Sequence, residues 1–159
     1  MTTGAWKYPL LLGVLLTTAG CLERTEMAAD EAVVILKRSD QCRISEPTFR
    51  SLRDRADLHR VMPPAAMMAE RHPALEVDFS THAVMLLGMG QKPTTGFHIE
   101  IDTAGLRQQA GTLWLPVRFI PPAGEVAAAR VTSPCVIFSL RREGVQRIVA
   151  GDTGLSFRF

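Results

Sequence analysis

The sequence lacks any concentrated run of positive charge. It carries 18 lysines and arginines against 16 acidic residues, and its basic runs, such as Arg141 and Arg142, are short. Lys7 lies in a segment that we expect to be removed, which brings the two totals closer still. Nucleic-acid binding requires a clustered basic surface that can neutralise several phosphates. The charge distribution therefore gives no support for nucleic acid as a partner.

Sequence motifs for catalysis and metal binding are also absent. The chain has no G-x-S-x-G sequence, which would present a nucleophilic serine, and no H-E-x-x-H sequence, which would supply zinc ligands. We therefore predict a protein that is not an enzyme, with no catalytic residues, no metal site and no cofactor. A small envelope hydrolase that uses His72, His82 or His98 with nearby carboxylates is the alternative. A carrier that holds a small ligand inside a curved sheet is another.

The sequence has no apolar run of the ~20 residues that a membrane-spanning helix requires. Its first residues instead combine a positive charge at Lys7, a short apolar stretch from Leu10 to Leu16, and small residues that lead to Cys21. This order is typical of an export signal. We therefore predict that residues 1–20 are a signal peptide.

The residues before Cys21 resemble the lipobox at which bacterial lipoproteins are cleaved and acylated. Thr18 stands where a lipobox usually has leucine, and Leu16 lies two positions further upstream. The resemblance implies a lipidated Cys21 that anchors the protein to a membrane, followed by a tether over residues 21–30. Leu22 favours the outer membrane, with the protein facing the periplasm. Ordinary signal cleavage near Ala19, which leaves Cys21 as a free thiol, is the alternative.

Cysteine is scarce, with three residues in the whole chain. Two of them remain when Cys21 is set aside, and exported proteins occupy compartments in which disulfides persist. We therefore predict a bridge between Cys42 and Cys135. The alternative is two buried thiols that act as small apolar side chains.

Residues 31–159 are predicted to form a single domain of the α+β class that is mostly β. Residues 32–36 (AVVIL) form a β-branched run that predicts a strand. After Asp54, which can cap a helix, Leu58, Val61 and Met62 recur at helical spacing. This pattern predicts one short helix near the N-terminal side, interrupted at residues 63–64 by two prolines.

Beyond residue 73 the apolar residues alternate with a period of two, as in half-buried antiparallel strands. The predicted strands are residues 77–79, 82–89, 97–102, 112–119, 135–140, 147–150 and 155–159. Together they indicate a curved antiparallel sheet or a partly closed barrel, with the helix packed against it.

Residues 90–97 (GQKPTTGF) join two of these predicted strands and are predicted to be a hairpin connection. A phosphate-binding loop is excluded, because five residues separate Gly90 from Gly96 where four are needed, and Phe97 and His98 follow. A plain turn with no function beyond joining strands is the alternative to a binding site.

The stretch from Phe79 to Leu140 resembles the PrcB family, named for a non-catalytic subunit of a surface protease complex. The matching residues are Phe79, the series Gly90, Lys92, Thr94, Gly96 and Phe97, and VTSPC at 131–135. Thr95 replaces a glycine of the family motif and Phe97 replaces a tyrosine. The resemblance implies a role in the assembly or stabilisation of an envelope protein, with a protease as one candidate partner.

These observations predict a protein-binding surface on the domain. The residues assigned to it are Gly90, Lys92, Pro93, Thr94, Thr95, Gly96 and Trp114. The loop would supply a stiff exposed tip, and Trp114 an aromatic anchor of the kind that interfaces favour. Trp114 could equally cover a second layer of the core.

Overall fold

The structure is a computed structural model that describes residues 32–62, 77–124 and 128–159. The predicted signal peptide, Cys21, the predicted tether and His72 lie outside these residues. Within them, no helix is long and apolar enough to cross a membrane.

The described residues form ten strands, a short α-helix and a 3-10 turn. The helix α1 is Arg55–Val61, and the 3-10 turn is Gly151–Thr153. The strands in chain order are β1 (Val33–Ser39), β2 (Pro47–Leu52), β3 (His82–Met89), β4 (His98–Ile101), β5 (Arg107–Gln109), β6 (Thr112–Leu115), β7 (Val117–Ile120), β8 (Cys135–Arg141), β9 (Arg147–Ala150) and β10 (Leu155–Arg158).

The strands belong to three sheets. The first sheet has the order β1-β8-β3-β2, with every neighbouring pair antiparallel. The second sheet has the order β10-β9-β6-β5 and contains one parallel pairing, between β6 and β9. The small sheet consists of β4 and β7. The predicted fold class, mostly β and antiparallel with a short helix, is confirmed, and the described strands form open sheets rather than a closed barrel.

The two central strands of the first sheet, β8 and β3, are buried on both faces. On β3, Met85 and Leu87 join the core cluster that contains the second sheet, while Val84 and Leu86 join the cluster that contains α1. Strands covered on both faces read as continuous apolar runs rather than alternating ones. This explains the nearly unbroken apolar sequences of β3 and β8.

The helix begins and ends as its sequence predicts. The Asp54 carboxylate accepts a hydrogen bond from the Asp57 backbone N–H at 2.8 Å, which satisfies one of the unpaired donors at the helix start. Leu58 is fully buried and Met62 is 1% exposed, so both anchor the helix to the first sheet. The next residue, Pro63, cannot continue the helical hydrogen bonding.

Two predicted strands are wrong in detail. Residues 77–79 form no strand, because the Asp78 carboxylate accepts bonds from the Ser80 N–H at 2.9 Å and the Thr81 hydroxyl at 2.9 Å and so holds a turn. Residues 112–119 are not one strand but two, β6 and β7, which join different sheets. Pro116 separates them, and proline has no backbone N–H to offer a sheet ladder.

The predicted hairpin at residues 90–97 is also wrong. β3 pairs with β2 on one edge and β8 on the other, so neither edge is left for β4. β4 pairs with β7 instead. The segment is therefore a crossover from the first sheet to the small sheet.

The disulfide between Cys42 and Cys135 is present, with a Cα–Cα distance of 6.0 Å. It joins the loop after β1 to the first residue of β8. Cys135 is 2% exposed, so the bridge is part of the core on the α1 side. The predicted pairing is confirmed.

Removal of this bridge by the double substitution Cys42→Ser and Cys135→Ser should destabilise the domain. The sequence separation of 93 residues sets a chain-entropy limit of about 4 to 5 kcal/mol on the loss in free energy of unfolding. Urea unfolding with and without reductant measures it. Reductant should lower the midpoint of the native chain and leave the double variant unchanged; equal midpoints for the native chain would contradict the prediction.

Candidate functional site

Residues 90–97, here called the motif loop, pair with the segment 128–134. Lys92 and Thr132 exchange both backbone hydrogen bonds, each at 2.9 Å. Thr95 donates its N–H to the Ala128 carbonyl at 3.1 Å, and its hydroxyl oxygen accepts from the Ala128 N–H at 3.1 Å. The two sequence motifs that carry the family resemblance therefore lie against each other.

Two buried hydroxyls fasten this pairing to the rest of the domain. Thr132 is 1% exposed and donates to the Thr94 carbonyl at 2.9 Å. Ser133 is 5% exposed; its hydroxyl oxygen accepts from the Ile44 N–H at 2.7 Å, and its O–H donates to the Ile44 carbonyl at 3.1 Å. The loop 40–46, the motif loop and the segment 128–134 thus form one hydrogen-bonded unit, here called the three-segment lock.

The glycines of the motif loop are required by close approaches. Gly90 has φ +74°, and a Cβ there would lie 2.9 Å from the Glu46 carbonyl carbon. Gly96 has φ +89°, and a Cβ there would lie 2.7 Å from the Pro122 Cβ. Thr95, which replaces a glycine of the family motif, is not among the described residues with positive φ. Its side chain therefore fits without backbone strain, and its hydroxyl adds a contact to Ala128.

The remaining predicted contact residues differ in exposure. Pro93 is exposed at the tip of the motif loop, while Lys92, Thr94 and Thr95 are half-buried. The Lys92 ammonium lies 5.7 Å from the centre of the Phe97 ring, within range of a cation–π contact. The motif loop is therefore held against the domain along most of its length, and Pro93 protrudes from it.

Trp114 is exposed and lies on the second sheet, which the motif loop does not join. Its side chain is 42% exposed on the outer face of the second sheet, opposite Arg107 on β5 and Val149 on β9. The alternative that it covers a second core layer is wrong. Trp114 belongs to the second sheet, whereas the motif loop runs from the first sheet to the small sheet.

An open groove with a volume of about 1010 Å³ lies beside the motif loop. The end of β1 forms one side of it, β4 and β7 form the other, and the start of β8 contributes to its lining. Phe97 of the motif loop and Pro134 of the segment 128–134 both line it. The three-segment lock therefore determines the shape of one end of the groove.

Charged side chains line this groove in unequal numbers. Four carboxylates and two guanidiniums are present: Asp40, Glu100, Asp102, Asp152, Arg38 and Arg118. Arg118 pairs with Glu100 at 2.7 Å, and His98 lies 3.5 Å from the same carboxylate. Asp102 accepts from the backbone N–H groups of Ala104 and Gly105 at 3.1 and 3.3 Å. Asp40 and Asp152 are exposed, so the groove carries an excess of negative charge.

The two carboxyl groups whose pKa is shifted, Asp57 and Asp78, lie outside the groove. The backbone N–H of Arg53 lowers the pKa of Asp57 on α1, and Arg60 adds to the effect. The Ser80 hydroxyl and N–H lower the pKa of Asp78 in the turn before β3. Both shifts belong to capping interactions and neither marks the groove.

Among the described residues, His82 and His98 do not lie in one site, and His72 lies outside the described ranges. His98 lines the groove, whereas His82 lies opposite Arg141, at the other end of β8 from the groove residue Val136. Val136 and Arg141 are five positions apart along β8, which corresponds to about 16 Å. Among the described residues, no three histidine, cysteine or acidic side chains cluster as metal ligands would.

Sequence reasoning missed the groove because distant segments build it. Arg38, Asp40 and Asp152 come from the two ends of the described chain, and no local pattern relates them to Glu100. Thr132 and Ser133 belong to VTSPC at 131–135, one of the motifs that carry the family resemblance. Their hydroxyl contacts were not foreseeable, because a threonine or serine before a proline is equally suited to an exposed turn.

Residues 83–141 match the family model described as PrcB C-terminal. The match begins in β3 and ends in β8, so it contains the motif loop, β4, β7 and the segment 128–134. It confirms the family resemblance stated from the motifs. No curated protein and no solved structure matches the chain.

Substitution of Thr132 by valine should loosen the motif loop. Valine keeps the shape of the side chain but leaves the partly buried Thr94 carbonyl without its donor, a cost of about 1 kcal/mol in free energy of unfolding. Amide hydrogen exchange should speed up at Lys92 and Thr95. Thr132→Ser keeps the hydroxyl and is the matched control; equal exchange in the two variants would show that the hydroxyl does not hold the loop.

Proposed function

Residues 83–141 of this chain match the PrcB C-terminal family model, and on that premise we propose that the protein is an accessory subunit that binds another protein of the bacterial envelope. The partner that the family suggests is a protease, which this subunit would help to assemble or stabilise. The protein acts by contact, without a catalytic site or cofactor of its own. Its contact region is the motif loop together with the adjoining groove.

The observation that carries this proposal is the three-segment lock beside an open groove. A rigid loop loses little conformational entropy on binding, so more of its contact energy appears as affinity. Here hydrogen bonds from both Thr132 and Ser133 hold the backbone of the contact region in advance. Pro93 and the groove then offer a protruding element and a recess side by side. Trp114 supplies a second contact surface on the outer face of the second sheet.

We also propose that the protein is exported and remains attached to the outer membrane, facing the periplasm. The export signal at residues 1–20 and the lipobox-like residues before Cys21 support this location. Residues 21–30 serve as a tether, and residues 31–159 form the domain. The Cys42–Cys135 disulfide is consistent with an oxidising compartment.

A small-ligand carrier is the second candidate, and the size of the groove favours it. A volume of about 1010 Å³ lies at the upper end of the range of small-molecule sites. Such sites enclose most of the surface of their ligand, whereas this groove is open to solvent. A segment of a partner protein therefore fits it better.

A photo-crosslinking residue at position 93 should capture the partner in cells. Pro93 is exposed at the tip of the motif loop, so its replacement leaves the core unchanged. Position 143 is the control, because Glu143 is exposed in the turn after β8, away from the start of that strand. One protein band specific to position 93, lost when Lys92→Ala and Thr94→Ala are combined, is expected. Capture that is equal at both positions would remove the motif loop from the proposal.

Lipidation of Cys21 is tested by intact-mass analysis of the protein extracted from membranes. The expected mass is that of a chain beginning at Cys21 with acyl groups attached. Cys21→Ser should release the protein from the membrane fraction and leave the domain folded, because position 21 precedes the proposed domain. A native chain that retains its initial methionine, or that begins at Cys21 without acyl groups, would refute the anchor.

A further inference from the structure

The small sheet has one covered edge and one open edge. Beside β7, the Gly151 backbone packs so closely that a Cβ there would lie 2.5 Å from the Val117 carbonyl oxygen. The 3-10 turn therefore covers β7. β4 pairs with β7 on one side, and among the described residues no strand pairs with its other side.

Backbone groups of Ile99 and Ile101 point to this open edge. Residues of an antiparallel pair face their partner alternately. The Asp102 N–H donates to the Pro116 carbonyl at 3.0 Å, so the backbone groups of Asp102 point toward the chain segment of β7. Two residues earlier, the backbone groups of Glu100 also point to β7, whereas those of Ile99 and Ile101 point away from it. The Ile99 carbonyl accordingly accepts a hydrogen bond at 2.7 Å from the Arg38 side chain, across the groove. A side chain thus occupies a position that a neighbouring strand would fill.

We infer that the open edge of β4 binds an extended segment of the partner protein, which adds to the small sheet as a third strand inside the groove. This inference rests on the proposed function and specifies how its site works. Strand addition gains affinity from main-chain hydrogen bonds, and the side chains beside the strand give specificity. The incoming backbone N–H replaces Arg38 at the Ile99 carbonyl.

The charge of the groove specifies the chemistry of this segment. Glu100 lies on the outward face of β4, Asp102 directly follows the strand, and Asp40 and Asp152 are exposed on the groove lining. Opposite charges on adjacent strands stabilise pairing, whereas like charges destabilise it. A segment with lysine or arginine at every second position therefore complements the groove. An acidic segment does not.

The test uses the purified native domain and a pool of short synthetic peptides with lysine at every second position. A peptide selected from the pool should slow amide hydrogen exchange at Ile99 and Ile101. N-methylation of its residues that face β4 should weaken binding about tenfold or more, because each methyl group removes a main-chain hydrogen bond to the open edge. N-methylation of the alternate residues is the matched control and should leave the affinity nearly unchanged.

Charge reversal at two exposed carboxylates gives an independent test. Asp40→Lys combined with Asp152→Lys should lower the affinity for the lysine peptide. The same double variant should bind a peptide in which glutamates replace the lysines. Glu143→Lys, outside the groove, raises the net charge by half as much as the double variant and shows how much of the effect comes from net charge alone. If no peptide in the pool binds, or if the tightest one leaves exchange at Ile99 and Ile101 unchanged, strand addition is refuted.

The outcomes also separate this inference from the proposed function. If the crosslink from position 93 captures a partner while no peptide adds to β4, the protein is a binding subunit that uses another contact. If neither experiment detects binding, both proposals fail.

Discussion

Two buried hydroxyl groups hold together the region on which the rest of this molecule depends. Thr132 and Ser133 lie just before β8, and their side chains bond to the backbones of Thr94 and Ile44, which are far apart in sequence. A buried polar group that loses its partner costs more than an ordinary hydrogen bond contributes. The alignment of these three segments is therefore strongly specified. The disulfide from Cys42 to Cys135 fastens the same junction covalently.

The burial of β8 and β3 on both faces explains where the remaining strands go. With α1 on one face and the second sheet on the other, β3 and β8 provide the common wall of two core clusters. Both edges of β3 are occupied, so the chain cannot turn back and pair after Met89. It crosses to the other layer instead, and the motif loop is the crossover. Its glycines permit the close approach to Glu46 and Pro122 that this path requires.

This arrangement leaves a two-stranded sheet next to a groove. A two-stranded ribbon is marginally stable by itself, and β4–β7 is supported by Ile99 and Val117 in the core and by Gly151 along one edge. An open strand edge is a hazard for aggregation, which proteins often limit with charged side chains. Arg38 and the carboxylates around the groove provide such charges. The same features suit reversible binding of a strand from another protein.

The amino-acid sequence by itself determined the local elements. The cap at Asp54, the β-branched start of β1, the alternation around Ile99 and the scarcity of cysteine each predict a feature that the structure contains. Local patterns succeed there because neighbouring residues decide them. Only the tertiary structure decided that β4 joins β7 rather than β3, that Pro116 divides two sheets, and that Arg38 meets Ile99 across the groove. Those outcomes depend on which strand edges and faces are already occupied, and that competition takes place between segments that lie far apart in the chain.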